Sequence, residues 1–271
     1  MGINLITDAE LRIEISRLLW IFYDKRVAAL QRLDLRKVLA GKNPYLYRAI
    51  SSGKAADIVE DVLRARISSS DETIFGNEFF EPLALWVAQA ATANDPDVSA
   101  RTSSGAGVDL EVERVNVFTA IAVKSGTRVF NAQSRQKQKD QFKQARNRLF
   151  KTQKQFDPVV GYSYGRLQSK DSDFRVIAGE AFWGELSGDS DMYLRIIRAM
   201  DEPSQKNAQL FQIEYEKAVN RFTRTLLDEF SDASGELDWD RLAEFNSSVV
   251  APPRAPRATL SVDSDEVESG D

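Results

Sequence analysis

From Val108 to Glu113 the chain alternates apolar and acidic residues one for one, and no other stretch restricts the fold so tightly. Alternation at period two belongs to a strand, so Val108, Leu110 and Val112 face one way and Asp109, Glu111 and Glu113 the other. Asn116 marks a turn, and FTAIAVK, ending at Lys124, returns as a second strand in an antiparallel hairpin. With the turn centred on Val115 and Asn116, Asp109 falls opposite Ala122. Lys124, two residues further on, then shares the face of Asp109 as its diagonal neighbour, and the small Ala120 and Ala122 leave room beside them.

Helical patterns flank this hairpin. Thr7 and Glu10 form a capping box ahead of an apolar stripe through Leu11, Ile15, Leu18, Leu19 and Phe22, and Asn43-Pro44 breaks the pattern. A helix from about Ala55 to Arg66 follows, and another starts at Ser70 and Asp71 with the apolar body FGNEFFEPLALWVAQAATA. Beyond the hairpin lies a basic, glutamine-rich helix from about Ala132 to Gln153. PVVGYSYG and FRVIAG read as further strands, and GEAFWGELSG, DMYLRIIRAM and Ala208 to Glu229 as helices. Helices, strands and helices again indicate one α/β (α+β) domain over 1–248, with a helical N-terminal region over 1–98, a core over 99–200 and C-terminal helices over 201–248. Residues 249–271, rich in Pro, Ser and acids, are expected to form a disordered acidic tail.

Composition removes whole classes of chemistry. The chain has no cysteine and no histidine, which excludes a Ser-His-Asp or Cys-His triad and a zinc site of the usual ligands. Carboxylates, lysines, hydroxyls and a hard metal are left. The lack of cysteine fits a reducing cytoplasm, no apolar run approaches a membrane span, and the opening MGINLITDAELRIE does not read as a signal peptide. Net charge is −5, but residues 249–271 hold five acids against two bases, so local clustering weighs more than the total. On the hairpin face, a carboxylate such as Asp109 can hold a divalent metal, and a lysine such as Lys124 can orient or help deprotonate an attacking water.

A carboxylate on one strand and (D/E)xK on the next resembles the PD-(D/E)xK nuclease core. The ordered set Ala122-Val123-Lys124-Ser125-Gly126, Asn131-Ala132-Gln133, VVGYSYGR and GEAFWGELSGDSDMYLRII resembles the PmeII-like family of type II restriction endonucleases, over roughly residues 72 to 198. The resemblance implies a restriction-endonuclease-like core, a central mixed sheet with a catalytic hairpin flanked by helices. It further implies magnesium-dependent cleavage of double-stranded DNA, usually by a homodimer. A glutamate from the preceding helix often joins such a metal site, which makes Glu78 the first choice and Glu81 the second. One departure stands out. The position two before the lysine, acidic in the superfamily, is Ala122, which leaves Glu111 or Glu78 to supply the carboxylate, or leaves a degenerate DNA-binding protein. A nickase or another defence nuclease on the same core is a further alternative.

Each of these features also has an ordinary structural meaning. Acids alternating along a hairpin are what a solvated edge presents to water. The basic helix has apolar Phe142, Ala145 and Leu149 at helical spacing, so its bases are equally those of an amphipathic surface helix. As a DNA contact it would use Gln133, Arg135, Lys137, Lys139 and Lys143, with Arg128 just ahead of it, the bases on phosphates and Gln133 on base edges.

Overall fold

Thr7 opens the first helix by exchanging hydrogen bonds with Glu10: its Oγ1 accepts the Glu10 N–H at 3.2 Å, and its own N–H donates to the Glu10 carboxylate at 2.9 Å. Helix α1 (Asp8–Gln31) then buries Leu11, Ile15, Leu18, Leu19 and Phe22, the stripe its spacing predicts. The structure is a computed structural model that describes residues 6–51, 53–126, 132–148, 153–166, 169–170 and 173–249. The tail expected to be disordered therefore lies outside the described residues from 250 onward.

Asn43-Pro44 ends one helical pattern by starting another. After α2 (Leu35–Leu39), the Asn43 side chain accepts the N–H groups of Tyr45 and Leu46, and Pro44 heads α3 (Pro44–Ile50). The break predicted between Arg66 and Ser70 is not there. Helix α4 (Ala55–Phe75) runs through it, because the serines at 68–70 have neither glycine nor proline beside them and Ile67 carries the apolar spacing forward. A π-helical turn (Gly76–Phe80) follows, in which the N–H of Glu81 bonds the carbonyl of Gly76 five residues back. Pro82 lacks the N–H that would have bonded the Glu78 carbonyl, so the helix widens ahead of it before continuing as α5 (Glu81–Thr92).

The described strands are β1 (Ser99–Thr102), β2 (Leu110–Glu113), β3 (Val117–Lys124), β4 (Gln155–Tyr162), β5 (Ser169–Lys170) and β6 (Arg175–Ala178), side by side in the order β1-β2-β3-β4-β6-β5. The first three are antiparallel, β3, β4 and β6 are parallel, and β5 runs antiparallel to β6, a mixed sheet as expected. Helix α6 (Ala132–Arg148) lies between β3 and β4 in the chain, and α7 (Glu180–Ser187), α8 (Met192–Ala199), α9 (Asp201–Phe230) and α10 (Trp239–Ser247) complete the described elements. Leu110, Val112, Ile121, Val123, Val159 and Ile177 pack one face of the sheet against residues of α1, α5, α7 and α8. The other face packs Phe118, Ala120, Ala122, Val160 and Tyr162 against Phe142 and Ala145 of α6.

One sequence expectation needs correction here, and one element appears that no residue pattern marks. Val108 does not share the face of Leu110 and Val112; it joins the α6 side, because Gly107 turns the backbone left-handed (φ +73°) and regular pairing begins only at Leu110. The approach to the hairpin is also more regular than its residues suggest. Ser-Ala-Arg-Thr has no apolar alternation, yet it forms the edge strand β1, held by Arg101 reaching Glu111 and Glu113, each at 3.0 Å.

The chain divides into two compact units. One comprises Met1–Ala29 and Ser68–Ile213 and contains the whole sheet. The other comprises Leu30–Ile67 and Glu214–Asp271, and its described residues are largely helical. Within this second unit Arg36 pairs with Glu229 at 2.7 Å and lies over the ring of Phe245, and Asp238 caps α10 by accepting the N–H of Arg241.

Candidate active site

Strand β3 is the element from which the site is built. Its register with β2 pairs Leu110 with Ile121 and Glu111 with Ala120, so Asp109, one residue before the ladder, comes level with Ala122, as the turn position predicts. Asp109 does not continue the ladder as an ordinary strand residue. Its N–H donates to the Ile121 carbonyl at 2.9 Å, while its Oδ2 accepts the backbone N–H of Val123 at 2.8 Å. The carboxylate thus occupies the place of a strand partner, and this holds it 3.8 Å from the Lys124 Nζ. Both side chains keep about a quarter of their surface exposed, so water and a substrate can reach them.

Glu81 completes the charged group. It heads α5, half-buried, and its pKa is pushed up to about 7, first by loss of solvation and then by the charge of Asp109, with Lys124 acting in the opposite sense and Glu78 adding a smaller repulsion. A carboxyl responding to both Asp109 and Lys124 belongs to their site. The π turn and Gly76 bring it there: a methyl group on Gly76 would stand 3.0 Å from the Ser125 Oγ and 3.2 Å from its Cβ, so the bare backbone gives the helix room beside the end of β3. Of the two glutamates weighed from sequence, Glu81 is tied electrostatically to the pair, and Glu78 stands half-buried beside it on the π turn. The signal in the sequence was Pro82, whose position inside a helical pattern marks the widened turn.

The other sequence candidates separate. Glu111 is drawn toward β1, where Arg101 donates to one carboxylate oxygen at 3.0 Å and Ser103 to the other at 2.7 Å. Ala122 and Ala120 are fully buried, and the room expected beside them is filled by Phe142, Tyr162 and their neighbours. Arg128 lies outside the described residues. Gln133, Arg135, Lys137 and Lys143 are exposed along α6, with Arg135 over the ring of Phe174, whereas Lys139 is paired with Asp173.

Two glutamines of α6 do something the sequence did not disclose. Gln138 is buried and donates to the Gly107 carbonyl at 2.7 Å, and the Gln141 amide closes over Gly107 where any Cβ would collide with it. Together they clasp the bend that delivers Asp109. The signal was faint: Gln138 precedes Phe142 by four residues and so extends the apolar stripe by one polar member.

Among the described residues no three acidic side chains are gathered into a ready metal cage. The donor set nonetheless suits magnesium, which takes hard oxygen ligands and commonly only one or two carboxylates, with water and phosphate supplying the rest. The mutual repulsion of Asp109 and Glu81 is of the kind a cation between them would relieve.

Comparison with known proteins bears on this arrangement. A family model described as type II restriction endonuclease EcoO109I matches residues 9–209, a span that includes Glu81, Asp109, Lys124 and the whole sheet. No curated protein matches the chain.

Proposed function

We propose that this chain, which belongs to the EcoO109I family of type II restriction endonucleases and is thereby a restriction-like DNA endonuclease, cuts double-stranded DNA by magnesium-dependent hydrolysis at Asp109 and Lys124. The observation that carries the reading is the 3.8 Å approach of the two side chains at the end of β3, on a strand whose backbone N–H fixes the carboxylate. Asp109 and Glu81 are the residues that would hold the metal, with Glu78 next to them. Bound there, magnesium supplies positive charge to the phosphate and lowers the pKa of a bound water. Lys124 orients the attacking water and faces the negative charge that builds on the phosphate. The Val123 N–H holds the Asp109 carboxylate in place at the end of β3.

DNA contacts fall to α6, where Gln133, Arg135, Lys137 and Lys143 lie exposed and Lys139 is held by Asp173. We assign the bases to phosphates, the source of salt-sensitive affinity, and Gln133 to base edges. Arg128 belongs to this set by its place in the sequence. Glu111 stays a reserve carboxylate, since its oxygens serve β1. The PmeII-like segments we read as the local signature of the same catalytic core. Cutting both strands of a duplex calls for two centres, hence a homodimer, and the cysteine-free chain suits the cytoplasm. Among the described residues no helix is long and apolar enough to cross a membrane.

The test is incubation of the full chain with long unmethylated duplex DNA in magnesium, manganese or EDTA, beside Asp109→Ala and Lys124→Ala. Discrete fragments that need metal and vanish in both variants are expected. Cutting by either variant at the wild-type rate sinks the assignment. Fully buried, alanine-filled position 122 favours one second reading, a DNA-binding protein that has lost catalysis. That reading predicts duplex bound at low salt and left intact with every divalent ion.

A further inference from the structure

Helix α1 turns one stripe into the core and leaves another outside. Leu11, Ile15, Leu18, Leu19 and Phe22 are buried, while Ile13, Arg17, Trp20 and Asp24 follow one another at spacings of four, three and four on the opposite side, all exposed. That outer stripe is not the polar face of an ordinary surface helix. Ile13 is 71% exposed and Trp20 64% exposed, although a tryptophan has more apolar surface to hide than any other side chain. Beside it, within the same compact unit, the Phe211 ring of α9 lies 6.4 Å from that of Tyr23, and the exposed Leu210 and Ile213 stand within a turn of Phe211. Large apolar side chains left in water together mark an interaction surface.

The order of charges along the stripe says what covers it. Arg17 and Asp24 are equidistant from a point between Trp20 and Ile21. A second α1 laid antiparallel across the first at that point brings Arg17 level with the partner's Asp24, Trp20 beside the partner's Trp20, and Ile13 level with the partner's Ala28. The same patch thus answers itself, as a two-fold contact between identical chains requires. Arg17 already pairs with Glu14 of its own helix at 2.6 Å, but its side chain stays 55% exposed and can serve a second carboxylate. The stripe's one cation and one anion cancel, so it offers DNA no net charge, unlike α6. We propose that two copies of this chain dimerise through the outer stripe of α1, crossing antiparallel at Trp20. The inference rests on the endonuclease reading above, in which each copy supplies one cutting centre, and it gives that dimer its surface.

Self-association of the full chain, followed by sedimentation without DNA, tests it. Wild type is expected to be dimeric, and Trp20→Glu to raise the dissociation constant by at least about thirtyfold, as loss of a central anchor does. Asp24→Lys should raise it roughly tenfold by setting like charges against each other twice, and adding Arg17→Glu should restore it. The chain has no cysteine, so engineered ones read the register. Arg17→Cys combined with Asp24→Cys should oxidise to a covalent dimer, whereas Ile13→Cys should not, its two copies lying about 22 Å apart along the helices. Should Trp20→Glu misfold, the charge exchange and the cross-links decide. A dimer that no variant disturbs, or a wild type that stays monomeric and does not cross-link, overturns the interface and leaves the cutting assay to judge the endonuclease reading. A monomeric wild type that loses duplex affinity on Trp20→Glu assigns the stripe to DNA and likewise overturns it. A dimer that responds as expected yet cuts nothing overturns the endonuclease reading and keeps the interface.

Discussion

At the residue scale the most informative group is Glu81, whose carboxyl holds a proton in the fold up to about pH 7 against an ordinary value of 4.5. A raised pKa means that the folded state binds the proton more tightly than the unfolded one. The resulting stability is complete below about pH 4.5 and is lost as pH rises through about 7. Glu81→Gln removes this dependence. In metal-free buffer the melting temperature of wild type should therefore fall relative to the variant's between those two pH values, and the two curves should run parallel above them. Parallel curves throughout would falsify the assignment of Glu81 to the charged site. Metal makes the opposite demand, since a ligand must be deprotonated, so wild-type magnesium affinity should weaken as pH drops below 7. Asp109→Ala should cut cleavage by about 10³-fold while leaving the circular dichroism spectrum intact, the scale of loss seen when one preorganised charge-stabilising group is removed.

At the element scale, α6 serves the site through packing as much as through charge. Gln138→Ala strips the Gly107 carbonyl of its donor, at a cost of about 1–3 kcal/mol in chemical denaturation. If the clasp sets the position of Asp109, the variant should also need roughly tenfold more magnesium for half-maximal cleavage, as loss of an outer-shell partner does. A variant that is destabilised yet unchanged in its metal requirement would reduce Gln138 to a packing role. Across the sheet, Gly161 leaves the space that the Phe182 ring enters, and a methyl there would stand 2.3 Å from that ring. Gly161→Ala should cost about 1–3 kcal/mol by overpacking, read from urea midpoints.

For the molecule as a whole, net charge argues against a nucleic-acid partner while local charge argues for one. The chain carries −5, yet Arg135, Lys137, Lys143, Arg146 and Arg148 stand exposed on one helix. Replacing Lys137 and Lys143 by glutamine together should lower the salt slope of duplex binding by about 1.8, roughly 0.9 for each phosphate no longer neutralised, and weaken all DNA sequences alike. An unchanged slope would place the DNA away from α6.

Local rules read directly from the residues settled much of this protein. The Thr7–Glu10 cap, the buried stripe of α1 and the register that puts Asp109 level with Ala122 follow from periodicity and turn position, because each depends on neighbours a few residues apart. The folded chain decided what distant segments share. That α6 fills the space beside Ala122 and that Gln138 grips Gly107 depend on contacts across some twenty to thirty residues, which no local pattern encodes. Glu81 joins Asp109 for the same reason. A proline forces a helix to widen, and a bare glycine gives the widened turn room beside a strand end that lies nearly fifty residues further along the chain.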